Sequence, residues 1–265
     1  MSHAPDLSLY GRRALVCGAS AGIGRAAALT LAAQGAEITA LARRDTLLDA
    51  LLPELRAAGA PNAWALQADL DDRDALADRV RRHLNTHGPH HILINNTGGP
   101  AGGPLLDAPV ADLAHAFGRH VLSAHTLVQH LLPGMREAGY GRVINVLSTS
   151  VREPIPNLGV SNTTRGAMAS WAKSLSRELP PGVTINNILP GFTDTDRLTS
   201  LKNAVAKRRG VPPEQVQDEW IAMTPEGRLG APDELGAAIG FLASPAGAFI
   251  RGVSLPVDGG RLKSI

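Results

Sequence analysis

The chain has 265 residues but only one cysteine, two tyrosines, three tryptophans and four phenylalanines. A lone Cys17 excludes an intrachain disulfide and any paired-cysteine metal site. It stands in an apolar run and is expected to be a small core residue rather than a nucleophile. With aromatics at 3%, the core must be built from Ala, Leu, Val and Ile. No run of about 18 apolar residues occurs, so no membrane span is expected. Residues 1–11 lack an apolar segment, so no signal peptide is expected, and a soluble protein of a reducing cytoplasm is the default. Neither sign of charge prevails, with 26 Lys+Arg against 24 Asp+Glu. That balance, with so few aromatics, argues against nucleic acid as a partner. The basic runs at 79–82 and 207–209 read as solvated helix faces. His87, His90 and His91 have no carboxylate or cysteine at ligand spacing, so a solvated loop is expected there and no metal.

What is present is alternation. Short apolar runs at 14–17, 37–41, 63–67, 92–95, 143–147, 184–189 and 252–257 read as strands. Amphipathic stretches at 25–34, 46–57, 73–84, 110–135, 164–179 and 232–243 read as helices. This rhythm predicts an α/β fold, a doubly wound parallel sheet of about seven strands with helices on both faces. Near-continuous apolar strands fit a sheet buried on both sides. Gly35 and Gly59 close the first two helices, and Pro180-Pro181 stops the helix before residue 184. Asp45, Asp71 and Asp107 stand near expected helix starts. No repeat or composition break divides the chain, so residues 1–265 are read as one domain. The least regular region, 192–228, is read as a lid.

The first strand runs into Gly18-Ala19-Ser20-Ala21-Gly22-Ile23-Gly24 and then a helix. Glycines at this spacing permit a tight turn and a close approach of backbone to a diphosphate, which the helix N-terminus then receives. The second strand ends at Ala42-Arg43-Arg44-Asp45. A dinucleotide site places a carboxylate here for a ribose 2′-OH, or a cation for a 2′-phosphate. Arg43, aided by Arg44, fits the phosphate and predicts NADPH, with Asp45 as an N-cap. Asp69 and Leu70, after the third strand, are placed beside the adenine, although a plain turn explains Asp69 nearly as well. The side chains of Asn95 and Asn96 are suited to tying strand ends together, with Thr97 and Gly98 near the ribose.

These residues together resemble the short-chain dehydrogenase/reductase family, and most of all its 3-oxoacyl-[acyl-carrier-protein] reductase-like members. The likeness spans residues 9–260. It rests on the glycine turn, on Asn95-Asn96-Thr97-Gly98, on Asn145-Val146-Leu147-Ser148, on Asn186 to Gly191 with Thr195, and on two C-terminal signatures, 227–234 and 257–260. It implies that Pro190, Gly191, Thr193 and Thr195 flank the nicotinamide. It also implies a homo-oligomer, dimer or tetramer, acting on a small-molecule or acyl-carrier-bound substrate. The family's catalysis uses Asn, Ser, Tyr and Lys. Of these only Ser148 stands in its place here. Ser161 occupies the tyrosine position, Arg165 the lysine position and His120 the asparagine position. Tyr10 and Tyr140 lie elsewhere in the chain.

A serine hydroxyl is a far weaker acid than a phenol of pKa near 10. Arg165 keeps its charge and suits a ribose or an oxyanion. His120 is expected either to titrate near neutrality and supply a proton, or to fill the asparagine slot and bond a carbonyl. Two functions therefore stay open, with a lyase or isomerase as a weaker third. The first is an NADPH-dependent reductase of a 3-oxoacyl thioester or similar ketone, catalysed by Ser148, Ser161, Arg165 and His120. The second is an NADP(H)-binding sensor or partner subunit without hydride chemistry.

Overall fold

The computed structural model describes residues 5–264. Seven strands, β1 Arg13–Cys17, β2 Glu37–Ala42, β3 Ala63–Gln67, β4 Ile92–Asn95, β5 Gly141–Val146, β6 Val183–Pro190 and β7 Ser254–Val257, form one sheet. Its order is β3-β2-β1-β4-β5-β6-β7, and every pairing is parallel. This is the doubly wound Rossmann-type architecture that the alternation predicts. The chain reverses direction across the sheet between β1 and β4, and the crevice there lies at the C-terminal ends of the strands.

Each face of the sheet carries its own core. On one, Ala27, Leu31, Leu48 and Leu55 of α1 (Gly22–Ala33) and α2 (Asp45–Ala58) join Leu235, Ile239 and Leu242 of α9 (Pro232–Ala243). On the other, Leu76 and Val80 of α3 (Arg73–His87) pack with Leu127, Leu131 and Ala172. Small residues do much of this packing. A Cβ on Gly236 of α9 would lie 2.6 Å from Thr30 Oγ1, so α1 and α9 approach closely because that position is bare.

Several local expectations need correction. The stretch 110–135 is not one regular helix: α4 (Val110–Phe117) passes through a π-turn, Gly118–Leu122, into α5 (Ser123–Glu137). The helix expected at 164 begins a turn and a half earlier, as α6 (Gly159–Glu178). The N-cap of α2 is Arg44, without a side-chain cap, and Asp45 is the first helical residue. The N-cap of α3 is Asp72, whose carboxylate accepts from Ala75 N at 3.1 Å, while Asp71 is taken by Arg119. The 192–228 region contains two helices, α7 (Asp196–Arg209) and α8 (Pro213–Ala222), around a small core of Ala206, Val216 and Trp220.

Of the histidines expected in a solvated loop, His87 is instead the half-buried last residue of α3, and His90 and His91 are enclosed, as is His83 of the same helix. His83, His90 and His91 are all buried. His90 Nδ1 lies 3.1 Å from the Gly88 carbonyl and so carries a proton. Its Nε2 then accepts from the Thr39 hydroxyl at 2.8 Å, and that hydroxyl accepts from His83 Nε2 at 2.7 Å. His91 Nδ1 accepts from Arg13 N at 3.1 Å. His90 and His91, each with one ring nitrogen accepting, are therefore neutral, and burial keeps His83 neutral beside them. Burial holds them well below the usual histidine range, His83 at about 4, His90 at about 3 and His91 at about 4.

Candidate active site

The glycine turn closes against β4. Gly18 has φ +63, and a Cβ there would lie 2.6 Å from Asn96 Nδ2, which itself donates to the Cys17 carbonyl at 3.4 Å. Gly24 faces the Gly18 carbonyl with no room for a Cβ, and Gly22 (φ +52) lies beneath Thr195. Helix α1 starts at Gly22 behind Ala21, and no side chain caps it. The amides of Ile23, Gly24 and their neighbours thus face outward, where the helix dipole favours an anion.

Beside the turn opens a cleft of about 280 Å³, lined by Gly18, Ser20, Asp69, Leu70, Asn96, Thr97 and Gly98, with Arg43 and Arg44 at its mouth. Arg44 Nη2 donates to Ser20 Oγ at 3.3 Å, and Arg43 Nη1 lies 3.9 Å from Asp69 Oδ2. Two guanidiniums and a hydroxyl so meet at the end of β2. Arg119, which sequence reasoning missed, lines the same cleft. Asp71 anchors it, and His115 Nε2 lies 3.0 Å from the same carboxylate. The Arg119 guanidinium holds the Asp71 carboxyl below the usual range. A helix-face arginine carries no local signal that it will bend into a cleft.

The strand ends are locked by a ladder of amides. Asn95 donates to Asn145 at 2.8 Å, Asn145 to Asn187 at 2.8 Å, and Asn187 to Ser254 Oγ at 3.0 Å. These residues are in register across β4 to β7, so one polar row braces the floor of the site. Ser148 follows β5. Its Oγ accepts from Ser150 N at 3.0 Å, which leaves the hydroxyl hydrogen free for another acceptor.

Ser161 and Arg165 are both on α6, one turn apart. Arg165 is buried. Its Nη1 donates to the Val146 carbonyl at 2.7 Å and its Nη2 to the Thr97 carbonyl at 3.3 Å. Burial, and then the Arg197 charge, lower its pKa to about 10, so it remains a cation at neutral pH. Gly99 faces Arg197 Nη2, Arg165 Nη2 and Ser161 Oγ together.

His120 is in the π-turn, a distortion common at functional sites. It lines a cavity of about 20 Å³ with Arg165, Asn95 and Ser123, room for one water molecule. Its Nε2 has no protein partner. Burial, then Arg165 and Arg119, push its pKa down to about 2. The expected titration near neutrality is therefore overturned, and the ring is neutral at physiological pH.

The remaining sites divide. Thr195 caps α7, accepting from Leu198 N at 3.2 Å, and closes over Gly22. Thr193 and Gly191 are tied to each other through a 3.3 Å hydrogen bond. Together with Pro190 at the end of β6 they lie outside the cleft, and Gly191 faces a separate cavity beside Asp258. Neither tyrosine reaches the site. Tyr140 precedes β5 at the opposite end of the strands, held between Arg12 and Arg142, and Tyr10 is exposed. Cys17 is buried, its thiol pushed up to about 12.

Comparison with known proteins agrees with this geometry. Residues 18–261 match the family described as Enoyl-(Acyl carrier protein) reductase. An uncharacterized oxidoreductase of Mycobacterium tuberculosis is 36% identical over 93% of this chain and 90% of its own. The 3-oxoacyl-[acyl-carrier-protein] reductase of Pseudomonas aeruginosa is 31% identical over 97% of this chain and all of its own. L-Sorbose reductase from Gluconobacter frateurii, solved with NADPH and L-sorbose, superposes with a TM-score of 0.91 at 26% identity, over 98% of this chain and 100% of that one. The chain belongs to the short-chain dehydrogenase/reductase family.

Proposed function

We propose that the protein is an NADPH-dependent carbonyl reductase working without a catalytic tyrosine. The observation that carries this is the cleft at the β1/β4 crossover, which joins an uncapped helix N-terminus to two guanidiniums at the end of β2. The bare glycines let the turn close tightly against β4 and itself, since a Cβ at either Gly18 or Gly24 would strike protein atoms, and a turn that tight suits a diphosphate received by backbone amides. Ser20, Arg43 and Arg44 fit the 2′-phosphate, Asp69 and Leu70 the adenine, and Asn96, Thr97 and Gly98 the adenosine ribose. Pro190, Gly191, Thr193 and Thr195 are assigned to the nicotinamide side.

When bound, the cofactor supplies a hydride to the carbonyl carbon. Ser148 donates its free hydroxyl hydrogen to the carbonyl oxygen. Arg165, a buried cation fixed by two backbone carbonyls, stabilises the negative charge that develops there. Neutral His120 is a positioning group for solvent at the cavity it lines, and the proton that completes the alcohol comes from solvent. Absence of a positioned acid costs about 10²–10⁴ in rate, so turnover is slow. Likeness to a 3-oxoacyl-[acyl-carrier-protein] reductase supports a 3-oxoacyl group in the substrate, and likeness to a sorbose reductase widens the set to hydroxylated ketones.

The test is loss of NADPH absorbance with a panel of 3-oxoacyl thioesters, their free acids and keto sugars, with Ser148→Ala in parallel. Slow turnover that Ser148→Ala lowers at least tenfold is expected. Tight NADPH binding with no turnover of any carbonyl overturns the reductase reading. That result would favour a cofactor-binding sensor or partner subunit, to which Ser161 in place of the tyrosine also points.

A further inference from the structure

Several arginines beside the cleft or in the 192–228 region face a carboxylate: Arg119 has Asp71, Arg209 has Glu219 and Arg228 has Glu234. Two do not. Among the described residues neither Arg165 nor Arg197 forms an ion pair. Yet the two converge. From the position a Cβ on Gly99 would take, Arg197 Nη2 is 3.7 Å away, Arg165 Nη2 3.9 Å and Ser161 Oγ 3.9 Å. They arrive from two elements, Ser161 and Arg165 from α6 and Arg197 from the first turn of α7, and the glycine contributes only a hydrogen.

Like charges brought this close repel, and the burial of Arg165 strengthens the repulsion. The fold holds them there by backbone carbonyls alone. Arg165 donates to Val146 and Thr97, and Arg197 Nη2 donates to the Pro100 carbonyl at 2.9 Å. A carbonyl satisfies a donor without neutralising a cation. A guanidinium has five N–H donors in a flat fork, so each arginine retains donors for a further acceptor. The cofactor's anions are received elsewhere, at the uncapped start of α1 and at Arg43 and Arg44.

We infer that Arg165, Arg197 and Ser161 form a socket for a carboxylate carried by the substrate, so that the compound reduced is an oxo acid with its acid group free. This rests on the reductase reading and refines its substrate class. A planar carboxylate suits the arrangement, because its two oxygens accept side by side from guanidinium forks, and a hydroxyl supplies a third donor. A thioester presents no charge here and leaves both cations unneutralised. Arg197 lies on the lid, so its grip also draws α7 toward the strand ends.

The experiment measures equilibrium binding to the NADP⁺-loaded protein, which cannot reduce a ketone, by titration calorimetry. The probes are 3-oxobutyrate and 3-oxohexanoate, each beside its methyl ester. At least tenfold tighter binding of the acids is expected. Arg197→Ala should lose about tenfold to a hundredfold in acid affinity, the scale of one charge-assisted contact, with ester and NADP⁺ affinities unchanged. Arg197→Lys should recover part of the loss. Equal binding of acid and ester, binding of neither, or a matching loss of NADP⁺ affinity in Arg197→Ala overturns the proposal, the last assigning the guanidinium to the cofactor's diphosphate. Acid-selective binding without any NADPH turnover sinks the reductase reading alone. Should NADP⁺ itself fail to bind, the same titration of the cofactor-free protein decides the socket separately.

Discussion

Lowering the pH from 8 to 5 should remove a large part of this protein's stability, and the buried histidines say how much. His83, His90 and His91 are neutral in the fold, each tied by hydrogen bonds that fix its tautomer. Their folded pKa values are about 4, about 3 and about 4. In the unfolded chain each titrates near 6.5. Between those limits the unfolded state binds protons that the folded state refuses, so stability falls as pH falls. The contribution is fully present above about pH 6.5 and is lost toward pH 4. At pH 5 each ring costs about 2 kcal/mol, and the three together about 6 kcal/mol. His120, at about 2, adds a fourth proton to the same window. A domain's whole stability is about 5–15 kcal/mol, so this loss is near the threshold of unfolding. Urea melts at half-unit steps from pH 8 to 5 measure it. The unfolding free energy should be flat above pH 7 and then fall with a slope approaching four protons. His83→Gln should reduce that slope by one. A midpoint in urea that is the same at pH 7.5 and pH 5.5 would refute the neutral-cluster assignment.

Three further outcomes follow from the site. Arg43→Ala should weaken NADPH binding about tenfold to a hundredfold and leave NADH unchanged; its pairing with Asp69 spans 3.9 Å between half-exposed groups and offers little to lose. Equal weakening of both cofactors, read by fluorescence titration, would place the 2′-phosphate elsewhere. Gly24→Ala sets a methyl against the Gly18 carbonyl and 2.6 Å from Asn96 Nδ2; loss of NADPH binding with a drop in stability of about 1–3 kcal/mol is expected, and unaltered affinity would mean the turn does not hold the diphosphate. Cys17, with its thiol at about 12, should resist an aromatic disulfide reagent in the native protein and react as one equivalent in denaturant; prompt native reaction contradicts its burial.

How much of this could be read beforehand depended on how local the cause was. The strands and the glycine turn are written in short runs whose meaning lies in their own spacing, and the sheet follows from them. The amide ladder was half legible: Asn95 and Asn96 follow a strand and invited a tie, but Asn145 and Asn187 reveal their part only when register sets them opposite. The histidines before β4 misled because polarity alone suggests solvent. His83 and His90 share Thr39, more than forty residues away in β2, and His91 accepts from the Arg13 amide. The two helices of 192–228 were hidden by low amphipathicity in a charged segment, since their apolar face covers only a small satellite core.

The catalytic row shows the same division at higher stakes. Substitution of the tyrosine and lysine positions by Ser161 and Arg165 is plain in the sequence, and so is the loss of a phenolic acid. What their replacements do is not plain there, because it depends on neighbours from two other segments. Gly99 has no signature beyond flexibility, and Arg197 reads as an ordinary basic residue near a helix start. Only folding puts both beside Arg165. His120 illustrates the reverse error. Its residue type left a proton donor near neutrality open, but the π-turn carries it inside, next to two guanidiniums, where protonation is unfavourable. The altered row has thus lost a titratable acid while keeping a positive charge, now on the buried guanidinium of Arg165. A site so arranged is poor at giving away protons and well suited to holding an anion, which is why the choice between a slow ketone reductase and an oxo-acid reductase turns on Arg197 and not on the missing tyrosine.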